Sequence, residues 1–182
     1  VMLGAATLNV TGWNGAIYQM VAHGVMTGLF FALVGLVYER AHSRWVPKMG
    51  GFGRVMPAVA VFFSLAGLSS LGLPGTAGFV AEFMVFLGAF RGPHAWWALP
   101  AVLGAFVTAV YVLRAIRGIF WGEGPSEEFH DLTDARKTEW AALVLLGSAI
   151  LVLGCWPRLV LDFIDRSTVD YLAGVLSAGG VR

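Results

Sequence analysis

Glu82 is the acidic residue of this chain that falls inside a long apolar run, which extends from Val55 to Phe90. A carboxylate at bilayer depth costs roughly 2.5–3.5 kcal/mol on insertion scales. Low dielectric disfavours the charged form, so such a carboxyl can be held protonated or ionised, and a group that takes both states can carry a proton. The alternative is a glutamate paired with Arg or Lys of another helix for assembly. Eight residues before Glu82 stands Pro74, within Gly72-Leu73-Pro74-Gly75. Gly72, Pro74 and Gly75 predict a helix break at membrane depth. The backbone groups freed there are tolerated only where they are buried in protein or line a wet cavity. An apolar segment interrupted by Gly and Pro is the usual sequence pointer to a transporter's ion site.

His23 is the second candidate. Gln19 precedes it by four residues and Thr27 follows it by four, so the three share one helical face. Histidine titrates near neutral pH and passes a proton between its two nitrogens. Interhelical hydrogen bonding is the competing role for the same stripe. Thr108, Tyr111 and Arg114 recur at three-residue steps further on, and Tyr111 is expected to donate a hydrogen bond into a helix bundle. Arg114 and Arg117 stand close enough to a helix end to snorkel. Gly24 and Gly28 form a G-x-x-x-G, read as a helix-packing motif. His42, His94 and His130 fall in loops, and Cys155 reads as a small apolar residue at lipid depth. The sequence has no metal-ligand spacing, CxxC, nucleotide-binding glycine loop or nucleophile–base motif.

These residues need membrane helices to hold them, and the composition supplies them. Of 182 residues, 58% are apolar and only 13% are charged, about half the share in soluble chains. The mean hydropathy is +0.75. That excludes disorder and a nucleic-acid-binding basic face. Charge-free stretches run from Gly12 to Tyr38, Val55 to Ala81, Gly92 to Leu113 and Trp140 to Pro157. Each has the roughly 18 residues expected of a span. The predicted fold is all-α, a multi-spanning transmembrane helix bundle over residues 1–158. Residues 159–182 are predicted to form an amphipathic interfacial tail, with Asp162, Asp165, Arg166 and Asp170 opposite Leu161, Ile164, Tyr171, Leu172 and Val175.

Asn9 to Gly15 reads as a turn-rich break and Ala16 to Tyr38 as the first full span, with the apolar start of the chain as the end of an earlier span. The chain is accordingly expected to be a C-terminal piece of something larger. Val55 to Phe90 spans 36 residues. As one helix it would reach about 54 Å, against a hydrocarbon core of about 30 Å. A helix broken in mid-membrane is favoured over a tight hairpin. Thr138 is the expected N-cap of the last span. Eight basic residues (Arg40, Arg44, Lys48, Arg54, Arg114, Arg117, Arg136, Lys137) fall on one side and four (Arg91, Arg158, Arg166, Arg182) on the other. Both long loops are therefore expected to be cytoplasmic.

The strings from Gly15 to Gly24, Leu33 to Arg44, Met49-Gly50-Gly51, Leu73-Pro74-Gly75 and Gly78-Phe79-Val80-Ala81-Glu82-Phe83 resemble the antiporter-like subunit M of respiratory complex I, counterpart of mitochondrial subunit 4. The likeness covers nearly the whole chain and is weakest in the tail. His42-Ser43-Arg44 replaces the His-Thr-Arg of many relatives. The resemblance implies the second half of the second of two inverted five-helix repeats, with Val55–Phe90 as its discontinuous helix. It implies that Glu82 is the membrane glutamate of that subunit and His23 the ionisable residue bridging the central axis to it. Both would be stations for proton translocation, with Gln19, Thr27 and Tyr111 along the path. It further implies a subunit of NADH–quinone oxidoreductase that binds no cofactor itself, with NADH, FMN, iron–sulfur clusters and quinone on other subunits. The expected partners are antiporter-like subunits of the L and N types, lipid and protons, with no nucleic acid, in a bacterial inner membrane. The alternatives are a subunit of a multi-subunit sodium/proton antiporter or of a membrane hydrogenase.

Overall fold

The charge-free stretches become helices, and the longest sets the frame for the rest. The computed structural model describes residues 1–92, 95–122, 124–125 and 127–178. His94 and Arg182 lie outside the described residues. Among the described residues, seven α-helices follow one another: α1 (Met2–Ala6), α2 (Val10–Ala41), α3 (Pro57–Ser70), α4 (Ala77–Phe90), α5 (Ala98–Phe120), α6 (Lys137–Cys155) and α7 (Arg158–Ala178). Short 3₁₀ turns occupy Val46–Lys48, Phe52–Arg54, Ala95–Trp97 and Glu127–Phe129. No strand occurs among the described residues. α2, α5 with its preceding turn, and α6 are long and apolar enough to cross a membrane. The chain is a multi-pass membrane protein.

α3 and α4 have 14 residues each. Each reaches about 21 Å, less than the hydrocarbon core, so neither crosses alone. Both pack along α2, and their order along it shows a single broken crossing. Val59 and Phe63 of α3 join Leu33 and Val37 of α2 in one core. Ala77 and Ala81 of α4 join Tyr18 and Ala22 in a second. Beyond that, the Asn9 side chain donates to the Gly88 carbonyl at 2.9 Å. The chain thus runs antiparallel to α2 throughout, as a discontinuous helix and not a hairpin.

Several local expectations change. Asn9 to Gly15 is not a break: Asn9 Oδ1 accepts from the Gly12 N–H at 2.9 Å, an N-cap that starts α2 six residues early. The glycines here serve packing. A Cβ on Gly15 would lie 2.7 Å from the Val85 nitrogen, and one on Gly88 would lie 2.5 Å from the Gly12 Cα. Small residues let α2 and α4 meet backbone to backbone. Gly24 and Gly28 do not make this approach: among the described residues, nothing lies within 4 Å of a Cβ on Gly24, and only Leu146 Cδ1 reaches 4.0 Å at Gly28. Thr138 is not the N-cap of α6. That position is Arg136, whose N–H is bound by the Glu139 carboxylate at 2.7 Å.

α7 presents Ile164, Thr168 and Leu172 inward, a stripe at four-residue spacing. Asn14 Nδ2 donates to Asp165 Oδ1 at 2.7 Å, and Trp13 packs against Tyr171 with the rings tilted by 44° and centroids 5.0 Å apart. Tyr171, placed on the apolar side by the sequence pattern, is half exposed.

Candidate functional site

The break has a defined anatomy. The Gly72 N–H bonds the Ser69 carbonyl at 3.2 Å and the Leu73 N–H bonds the Leu68 carbonyl at 3.0 Å, with Gly72 at φ +66°. This is a Schellman stop, which satisfies the last carbonyls of α3. The Thr76 N–H then reaches the Leu73 carbonyl at 3.1 Å across Pro74 and Gly75, the latter at φ +92°. Pro followed by a positive-φ Gly is the pattern of a type II turn. Each residue of the motif therefore has a backbone task, and the chain turns between α3 and α4 with its polar groups largely bonded.

Glu82 lies on the second turn of α4 and reaches back over this stop. A Cβ on Gly72 would fall 2.5 Å from Glu82 Oε2. No Lys, Arg or His nitrogen lies within 4.0 Å of the Glu82 carboxylate among the described residues, where the ion pairs are Arg40–Glu139, His130–Asp131 and Arg136–Glu39. The assembly role weighed for Glu82 has no partner there.

A cavity of about 370 Å³ joins the candidates. α2 contributes Gln19, His23 and Thr27, and α4 contributes Glu82. Tyr111 of α5 completes the group. Thr27 Oγ1 lies 3.3 Å from His23 Nδ1, so the stripe is linked internally. Tyr111 departs from expectation: it is 58% exposed and donates no hydrogen bond into the bundle among the described residues. It lines the cavity instead. Ser69 and Ser70 of α3 and Thr108 of α5 also line the cavity. The two serines were missed. Their signal was adjacency, a polar pair closing an apolar run just before the break. No cluster of three His, Cys, Asp or Glu able to hold a metal occurs among the described residues.

The other missed residues lie at the far end of α2. Arg40, counted as a loop charge, belongs to α2 and meets Glu139 of α6 at 2.6 Å, with side-chain exposures of 6% and 17%. It also donates to the Thr133 carbonyl at 2.7 Å. The neighbouring Asp134 carboxylate accepts from the Ala58 N–H at 2.8 Å and the Val59 N–H at 3.3 Å. It thereby caps α3, whose own N-cap position, Met56, has no side chain for the task. Nothing in the local pattern marks residues 99 apart as partners.

Known proteins share this fold and much of this sequence. A family described as "NADH:quinone oxidoreductase/Mrp antiporter, TM" matches residues 1–108. The chain belongs to this family. The NADH-quinone oxidoreductase subunit M of Rhodobacter capsulatus is 38% identical over 167 residues, which are 92% of this chain and 32% of that protein. The chain thus spans about a third of the length of the curated relatives it matches, and the resemblance to subunit M holds over most of it. Among solved structures, one chain of respiratory complex I from Thermus thermophilus with bound NADH superposes with TM-score 0.83 at 31% identity, over 93% of this chain and 36% of that one. A chain of the Mrp complex from Dietzia superposes with TM-score 0.81 at 22% identity, over 95% and 41%, and supports the fold alone.

Proposed function

We propose that this family member is part of a proton-translocating membrane subunit of an NADH–quinone oxidoreductase. Glu82 is its proton-holding site and His23 its relay. The observation that carries this reading is the cavity shared by Glu82, His23, Gln19, Thr27 and Tyr111 beside a broken helix. A carboxyl without a fixed cation partner can change protonation state without breaking an ion pair. A histidine bonded to a hydroxyl can pass a proton along the stripe. Electron transfer would belong to other subunits carrying NADH, FMN, iron–sulfur clusters and quinone, with antiporter-like L and N subunits alongside in a bacterial inner membrane.

In the assembled complex, Glu82→Gln is expected to abolish most proton translocation while the complex still forms. Normal translocation in that variant would overturn the proposal. A second reading, an Mrp-type cation/proton exchanger, is favoured by the shared fold and the family's joint description. It predicts exchange of sodium for protons in the absence of NADH and quinone, which the first reading does not.

A further inference from the structure

Glu82 borders a second cavity, of about 280 Å³, lined also by Gln19, Thr108, the amino-terminal residue Val1 and apolar residues of α1, α4 and α5, among them Leu3, Val85 and Phe86. Gln19, Glu82 and Thr108 belong to both linings. These three residues, from three helices, stand between two adjoining chambers, and we refer to them as the neck. Thr108 Oγ1 donates to its own helix, at 3.0 Å from the Gly104 carbonyl, so it faces the neck as an acceptor. Gln19 Oε1 is a buried oxygen with no hydrogen-bond partner among the described residues. A buried acceptor left open is costly unless a donor or a water comes to it.

A carboxyl needs donors when ionised and an acceptor when protonated. A carboxamide supplies either, by turning its terminal group over. Both cavities have room for a bridging water. We propose that Gln19 is the positioning residue of Glu82. Its N–H₂ faces the ionised carboxylate and its oxygen faces the protonated acid, directly or through one water, so the proton is held at the neck between the two chambers. The inference rests on the reading of Glu82 as the proton site and assigns the group that serves both of its states.

The test uses the full-length protein in its assembled complex, comparing Gln19→Met with Glu82→Gln. The first removes the amide from an unbranched side chain of similar length. The readouts are the rate of proton translocation and the infrared carboxyl C=O band that Glu82→Gln abolishes. Gln19→Met is expected to shift that band to higher wavenumber and to slow translocation roughly tenfold, the rate equivalent of one hydrogen bond to a charged group. An unshifted band overturns the inference, whatever happens to translocation. Should Gln19→Met fail to assemble, Gln19→Glu decides: a second carboxyl at the neck must move the same band, and an unmoved band overturns the inference. The reading of Glu82 itself fails differently, by normal translocation in Glu82→Gln.

Discussion

The two ends of α3, the first half of the broken helix, treat the acids beside them in opposite ways. At the start of α3, Asp134 is bound by backbone N–H groups, and nearby Glu139 is held by Arg40 and by the N–H of Arg136. At the break, Glu82 has no cation within 4.0 Å among the described residues and lies against a glycine and a cavity. The first arrangement locks loop to helix ends. The second leaves a carboxyl free to change state. A carboxylate's fixed partners, more than its depth, therefore separate a structural acid from a candidate functional one.

The sharpest way to break this comparison is at the locked end. Arg40→Ala should destabilise the folded protein by about 3 kcal/mol, because Glu139, partly buried, then keeps only the Arg136 N–H, and the Thr133 carbonyl loses its donor. Thermal unfolding of the purified protein would read this. The double variant Arg40→Leu/Glu139→Leu should recover part of the loss, since removing both charges leaves nothing unpaired. If Arg40→Ala unfolds like the parent, the pair holds nothing together.

The next largest effect tests whether the break is rigid for backbone reasons alone. Gly72→Ala places a side chain at φ +66° and against the Glu82 carboxylate. It should cost about 2 kcal/mol, mostly from the left-handed conformation. Gly72→Asn tolerates that conformation better and should recover stability without recovering proton movement, because its side chain still displaces the carboxyl. Full proton movement in Gly72→Asn would show that Glu82 does not need its seat over the stop.

Asp134→Ala should cost about 1 kcal/mol, the usual worth of an N-cap. Asp134→Asn keeps an acceptor and should cost less. Hydrogen exchange at the Ala58 and Val59 amides reports the cap directly, and unchanged protection there in Asp134→Ala would contradict it.

Legibility in the sequence divides along the same line. The spans were legible because lipid admits long charge-free runs, and the break because Gly72, Pro74 and Gly75 each have a local backbone task. The Gln19, His23 and Thr27 stripe was legible because helical spacing fixes which residues share a face. The locked end was not legible: Arg40, Asp134 and Glu139 meet through tertiary packing, and their local surroundings look like ordinary loop charges. Nor was the choice of glycines. The sequence offered Gly24 and Gly28, while α2 and α4 meet at Gly12, Gly15 and Gly88, because the face that finds a partner is decided by where the partner runs. The start of α2 was misread for a related reason: Val10 to Gly15 has turn-like composition, but Asn9 caps it into the helix.

The smallest stability effect is the most informative for the comparison. Glu82→Gln keeps shape and volume and removes only the capacity to ionise. If Glu82 were locked as Glu139 is, removing its charge would strand a buried partner and cost several kcal/mol. With no such partner among the described residues, the substitution should change stability by no more than about 0.5 kcal/mol, as for a site without a fixed network. The same change at the locked end, Glu139→Gln, should destabilise clearly, because Arg40 then loses its counter-charge. Measured side by side by thermal unfolding, the two variants should separate: Glu139→Gln falls and Glu82→Gln does not. Equal losses would mean that Glu82 is also held by a fixed cation in the full-length protein, and the contrast between the two ends would collapse.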